Sequence, residues 1–369
     1  MRFLPEPAFA HGLPRRIGVL LINLGTPDAP TSAAVRDYLA EFLSDPRVVE
    51  IPRAVWLPLL HGVILRVRPA QSARKYATIW SKDGSPLLVH SVRQKTLLQG
   101  YVGQRMKDLG LPSDHAQIEL GMRYGRPTIA AAMARLKAAA CDRVLVLPLY
   151  PQYAASTTAS ALDAVFATAS RMRAMPALRV VAPYHDDAAY IKAVAQGIND
   201  YWMKNGRPDK LVLSFHGVPR KSLDLGDPYH CHCRKTARLV ADELGLTSEQ
   251  YAVSFQSRFG RAQWLQPYTL PTLIALAKEG MRRVDVACPG FVSDCLETLE
   301  ELGHGAQAAF LGAGGRELHC IPCLNERPGW IAALADLAVR NLQGWLDIPA
   351  DAAAREMSQA RARALGAER

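Results

Sequence analysis

The chain has no apolar run long enough to cross a bilayer. Its longest, AVWLPLLHGVIL at 54–65, is interrupted by Pro58 and His61 and falls short of the roughly 18 residues a spanning helix needs. That stretch is read instead as a half-buried amphipathic helix or one that lies against a greasy surface. Nor is a secretory leader expected, for MRFLPEPAFAHGLP has prolines where a signal core would stand. The seven cysteines are an odd number scattered over 369 residues, so a disulfide framework is not expected and a reducing cytoplasm is. No block of Lys and Arg is long enough for a nucleic-acid arm, although the net charge is +10. That surplus favours anionic small molecules or acidic lipid over nucleic acid. Neither G-x-G-x-x-G after the first strand nor a Walker loop is present, which removes the common nucleotide-binding readings.

What is present is a repeated alternation of short apolar runs, turns and helical segments. IGVLLINLGTP, QIELGMRYGRP, RVLVLPLYPQ and LRVVAPYH are followed by LVLSFHGVP, YAVSFQSRFGRA, VDVACPGF and ELHCIPC. Continuous apolar strands separated by helices predict an α/β fold with parallel sheets buried on both faces. The turns also recur in order: Arg123-Tyr124-Gly125-Arg126 returns as Arg258-Phe259-Gly260-Arg261, RVLVLP as RVDVACP, and VVAPY as HCIPC, each roughly 140 residues later. Gly25-Thr26-Pro27 and Gly217-Val218-Pro219 are the corresponding first turns, with a longer insertion in the first half.

The expectation is therefore two similar Rossmann-like domains of the chelatase type, 16–184 and 185–326, each with a four-stranded parallel sheet flanked by helices. Residues 327–346 read as an amphipathic helix returning to the first half, and 347–369 as a flexible tail. Ligands of such sheets bind beyond the carboxyl ends of the strands, which places His216, at the end of the second half's first strand, in a cleft between the halves.

After the third strand of that half come Asp294, Glu297, Glu300 and Glu301. In an α-helix, Asp294, Glu297 and Glu301 would share one face. An imidazole facing a row of acids can bind a divalent metal or move protons, while carboxylates at a helix start can equally be a solvated, dipole-stabilising surface.

On LINLGTPDAPT, IWSKDGSPL, GMRYGRP, LPLYPQYAASTTAS, LSFHGVP, GDPYHCHC, SFQSRFG and CPGFVSDCLETLEEL, in that order, the chain resembles ferrochelatase from about residue 17 to 345. The resemblance implies insertion of Fe²⁺ into protoporphyrin IX, the terminal step of heme biosynthesis. It makes His216 the active-site histidine and Glu297 its facing glutamate, the pair to which the iron site is assigned, with Glu301 a further acid of the same face. Tyr38, Trp80, Ser85, Tyr124, Tyr150, Tyr153 and Ser156 fall in motifs that line or border the family's porphyrin pocket, and 54–65 aligns with its membrane-facing lip.

The resemblance implies Fe²⁺ as substrate, no tightly bound cofactor, no nucleic acid, and a cytoplasmic protein with room for peripheral contact with the inner face of the membrane. Some ferrochelatases hold a [2Fe–2S] cluster on four cysteines, one of them in the Tyr-Pro-Gln-Tyr segment. This chain has Ala154 and Ala155 there, so no cluster is expected. His230-Cys231-His232-Cys233 lacks the spacing to close a tetrahedron, and Cys320-x-x-Cys323 lacks a second pair.

The chemistry asks for such residues. Metal cannot enter a flat porphyrin until the ring bends and the pyrrole protons leave, so the site needs a base, metal-binding oxygens and preference for the bent ring. Arg36, Arg47 and Arg53 are equal candidates for a propionate. A cobalt or nickel chelatase for sirohydrochlorin and a non-catalytic two-lobed binding protein remain the competing readings.

Overall fold

The computed structural model describes residues 3–8, 10–346 and 351–368. Two four-stranded parallel sheets form its frame. The first contains β1 (Arg16–Thr26), β2 (Ala116–Gly125), β3 (Cys141–Pro148) and β4 (Ala177–Val180) in the order β2-β1-β3-β4. In the second, β5 (Lys210–His216), β6 (Tyr251–Gln256), β7 (Arg283–Ala287) and β8 (Glu317–Cys320) repeat that order as β6-β5-β7-β8. The central strands β1 and β5 are covered on both faces, which is why their side chains read as continuous apolar runs rather than an alternation.

The two halves share one buried cluster. Leu98, Val102 and Met106 of helix Pro86–Asp108 meet Trp330, Ile331, Leu334 and Ala338 of helix Pro328–Leu342, and Tyr190, Val194 and Ile198 of helix Ala188–Asn205 complete the contact. The amphipathic segment expected to return to the first half does so, with Arg105 Nε donating to Asp336 Oδ1 at 2.8 Å. The tail differs from a frayed end. Residues 347–350 lie outside the described residues, but Ala352–Ala364 is a helix whose N-terminus is capped by Asp351 Oδ1, accepting from Ala354 N–H at 2.7 Å. Its alanine-rich sequence has the propensity for that state, and the cap supplies the start.

The insertion between β1 and β2 carries a long irregular helix: an α-helical Arg53–Leu59, a π-helical Leu60–Ile64 and an α-helical Leu65–Ile79. Trp56, Leu60 and Leu65 are buried beneath it, whereas Ile51, Val55, Leu59, Val63 and Val67 are exposed. The four-residue spacing along the helix gives Val55, Leu59, Val63 and Val67 a common side, while Ile51 precedes the helix.

Asp45 fastens the segment leading into this helix. Its Oδ2 accepts from Arg123 Nη2 at 2.5 Å, Tyr124 Oη at 2.8 Å and Ser160 Oγ at 2.6 Å, and its Oδ1 from Arg47 N–H at 2.8 Å. Burial alone would raise this carboxyl's pKa. The bonds from Ser160, Arg47 N–H and Tyr124, with the Arg123 charge, more than offset that and hold it below its ordinary value of 3.8. Its stabilising contribution is therefore present above the ordinary value and lost as pH falls through the lowered one. Asp45→Asn is expected to cost about 3 kcal/mol, because Arg123 would keep its charge without a partner. The variant should also lose part of the wild type's acid-dependent change in urea midpoint. Equal midpoints at pH 7 would refute both statements.

Candidate active site

β5 delivers His216 to the carboxyl rim of the second sheet, and the turn after it explains the ring's orientation. His216 Nδ1 lies 2.6 Å from the Gly217 carbonyl oxygen. A carbonyl can only accept, so Nδ1 carries the proton and, in the neutral ring, Nε2 keeps its lone pair. Gly217 has to be glycine, since a Cβ there would lie 2.8 Å from the Gln256 carbonyl oxygen and 3.2 Å from the Trp264 ring. The half-buried imidazole has Phe291 as an aromatic neighbour, with ring centroids 6.4 Å apart.

Glu297 opens a ten-residue π-helix, Glu297–Ala306. Winding by i→i+5 bonds takes a little more than four residues per turn, so Glu297 and Glu301, four apart, share a side much as they would in an α-helix. Glu301 is held by Ser257, whose N–H and Oγ donate to its two carboxylate oxygens at 2.8 and 2.7 Å. Glu300 turns the other way, to Lys75 Nζ at 2.9 Å.

Asp294 does not join them. It precedes the helix, is buried, and accepts from Thr298 Oγ1, Cys323 N–H and Asn325 Nδ2. The expected row of three acids on one face is therefore two, because the helix begins later than its acidic sequence suggests.

Gln256 joins the two sides. It is the register partner of His216 on β6, and its Nε2 donates to the Glu297 carbonyl oxygen at 3.1 Å while its Oε1 accepts from Ser214 Oγ at 2.6 Å. The strand bearing the imidazole and the turn bearing the carboxylate are thus set by one buried amide. Gln256 and Ser257 lie within the SFQSRFG segment, but nothing in their spacing identifies them as the link.

The first half supplies the opposite wall. Leu296 and Trp80 both pack against the buried cluster containing Tyr38, Trp56 and Tyr76. Burial pushes the Tyr38 and Tyr76 phenols up, and the nearby Glu297 charge adds to both shifts. Tyr76, absent from the sequence-based candidates, therefore belongs to the surroundings of Glu297. Trp80 is half-buried with its ring edge-on to Tyr76 at 6.2 Å.

The remaining candidates divide. Ser85 is buried and accepts from Thr26 Oγ1 at 2.8 Å. Tyr124 is fully buried with its hydroxyl committed to Asp45, so the structure gives it a packing environment rather than an open wall. Tyr150 has a buried hydroxyl without a hydrogen-bond partner among the described residues. Tyr153 and Ser156 are half-buried on the segment leading into and through the π-helical Ala155–Ala159. His232 Nδ1 accepts from Tyr153 N–H at 3.2 Å, and the neighbouring Cys233 is fully buried, so the His-Cys-His-Cys stretch serves packing and loop support. Of the arginines, Arg47 pairs with Asp163 at 2.8 Å, whereas Arg36 and Arg53 donate to the carbonyls of Leu65 and Ser44.

A family model described as Ferrochelatase matches residues 16–342. The chain is 60% identical to the ferrochelatase of Methylibium petroleiphilum and 57% identical to that of Aromatoleum aromaticum, each over 369 residues and the whole of both proteins. Among solved structures, SirB from Bacillus subtilis with Fe³⁺ aligns with a TM-score of 0.51 at 13% identity, covering 89% of this chain and 97% of that one. At that identity the likeness speaks for the fold alone.

Proposed function

The chain belongs to the ferrochelatase family and inserts iron into protoporphyrin in heme biosynthesis, and on that premise we propose that His216 removes the pyrrole protons while Glu297 hands over the metal. The observation that carries this division is the His216 Nδ1–H bond to the Gly217 carbonyl. It leaves Nε2 as the basic nitrogen and steadies the imidazolium that forms when a proton arrives.

Two protons leave the macrocycle as one Fe²⁺ enters, so charge balances. The imidazole takes one proton at a time and passes it to water or to a carboxylate. Glu297 exchanges water for its own oxygen at the ferrous ion. Glu301, anchored by Ser257, is a fixed negative charge behind it. Two such groups give the bent, deprotonating ring more interaction than the flat one, which lowers the barrier. Iron enters as substrate, and the reading uses no resident cofactor and no [2Fe–2S] cluster.

The division is tested by splitting the kinetic constants in an anaerobic Fe²⁺ or Zn²⁺ insertion assay. Changes at His216 should act on kcat, and changes at Glu297 on the KM for metal. The opposite pattern would reverse the two roles.

The helix bearing Val55, Leu59, Val63 and Val67 is the surface that meets a membrane and receives the apolar substrate from it. No helix among the described residues is long and apolar enough to span a bilayer, but these side chains share their helix with the exposed Arg53 and Arg66, a pairing suited to an anionic interface. Replacing Val55, Val63 and Val67 together by Ser should weaken co-sedimentation with vesicles rich in anionic lipid by about tenfold or more. Turnover on detergent-dispersed porphyrin should be unchanged. Undiminished co-sedimentation would remove the membrane role.

A further inference from the structure

The π-helix that carries Glu297 has no side-chain cap of its own, yet its start is held by a buried chain of hydrogen bonds that reaches into the other half. Gln94, fully buried on helix Pro86–Asp108, donates from Nε2 to the carbonyl oxygens of Val292 at 3.0 Å and Asn325 at 2.8 Å. Asn325 N–H donates to the same Val292 carbonyl at 3.0 Å. Its side chain clasps Asp294 reciprocally, Oδ1 accepting from Asp294 N–H at 2.9 Å and Nδ2 donating to Asp294 Oδ2 at 2.7 Å. The other oxygen of Asp294 accepts from Thr298 Oγ1 at 2.9 Å and Cys323 N–H at 3.3 Å. Thr298 in turn accepts from Cys295 N–H at 3.0 Å. Asn325 holds this position with φ 45°, a left-handed conformation that asparagine tolerates better than most residues.

From this geometry we infer that Asp294 is a positioning residue, not a metal-handling acid: together with Asn325 and Gln94 it fixes where the π-helix begins and so where Glu297 stands. All the hydrogen bonds to Asp294 come from the protein, and each is used by the turn 292–298 or by the loop 323–325. An acid that received iron would need an oxygen lone pair directed at solvent or substrate. Asp294 is 6% exposed and its two oxygens already accept three bonds. The clasp also explains why Gln94, a side chain of the first half, is buried against the second: it ties the lip-bearing half to the turn that aims the carboxylate.

The inference rests on Glu297 being the metal-handling acid, and the test separates the two ideas. Asp294→Asn sets an amide NH₂ against a donor in either orientation, Asn325 Nδ2 in one and Cys323 N–H in the other, and Asn325→Asp puts two carboxylates face to face. Each single change is expected to raise the KM for metal by about 10- to 100-fold, as loss of an outer support does at metal sites, with the KM for porphyrin little altered. The double exchange restores donor to acceptor in reversed order. Its exchanged amide oxygen still accepts from Thr298 and Cys323, so the metal KM should return to within about threefold of wild type.

Far-UV circular dichroism and thermal melts establish that each variant is folded. A folded double variant as impaired as the singles would overturn the inference, because the charge at 294 would then matter in itself. Should the double variant not fold, Gln94→Met decides. It removes both cross-half bonds, so a raised metal KM supports the clasp and a wild-type value ends it. Glu297→Gln is assayed alongside. An unchanged metal KM there removes the premise, whereas a raised one with no rescue by the exchange removes the clasp alone.

Discussion

His216→Ala is expected to lower the rate of anaerobic metal insertion by roughly 10²–10⁴-fold, the range typical of a removed general base. Folding should survive, because the ring's hydrogen bond is to the carbonyl of its own neighbour and the side chain is half-buried at a strand end. That bond belongs to the turn rather than to a long-range contact, so its loss costs on the order of 1 kcal/mol. Porphyrin binding, followed by quenching of the macrocycle's fluorescence, should change little. Added imidazole should recover part of the rate in the Ala variant, since the cavity left behind is the shape of the missing base. Near-normal turnover without imidazole would take His216 out of the mechanism.

Glu297→Gln is the second large effect. The substitution keeps the side chain's size and leaves the backbone carbonyl that Gln256 holds, so the helix start is undisturbed and only charge is lost. Without that charge the ferrous ion has no anionic oxygen to replace its water, and kcat/KM for metal should fall by about 10²-fold or more. Comparison along the helix sharpens the point. Glu301→Gln keeps an acceptor for Ser257 but loses the charge behind Glu297, and an intermediate loss is expected. Glu300→Gln breaks the ion pair with Lys75, in which the lysine is half exposed, and such pairs contribute about 0–1 kcal/mol. Activity should therefore fall in the order Glu297, Glu301, Glu300. An equal loss at all three would mean that the site responds to net charge rather than to one oxygen.

How much of this was legible beforehand differs from residue to residue. His216 stood out because an apolar strand ending in an ionisable ring before Gly-x-Pro is a local pattern, and the parallel-sheet rule says where such a ring must point. The repeated order of turns gave two like halves for the same reason: strand periodicity and turn chemistry act over a few residues. Asp294 falls outside the acidic row because the helix begins only after it, at a point set by the hydrogen bonds of Asp294 to Asn325 and Cys323. Nothing in the local pattern of the acids shows that start, since those partners lie about 30 positions away in the chain. Tyr124 lies in a segment that suggests an open wall, yet Asp45, 79 positions away in the chain, draws it into the interior.

The alternation of apolar runs and turns, the duplicated strand order, the strand-end histidine and the acids that follow β7 are properties of the sequence alone, since each depends on neighbours within a turn or two. That Asp294 is buried before the helix while Glu297 and Glu301 lie on it, that Gln256 joins the imidazole's strand to the carboxylate's turn, and that Gln94 of the first half braces the second were decided only in three dimensions. Those are hydrogen bonds between residues far apart in the chain, and nothing local to either partner specifies the other until packing has excluded water and left each buried group a single place to bond.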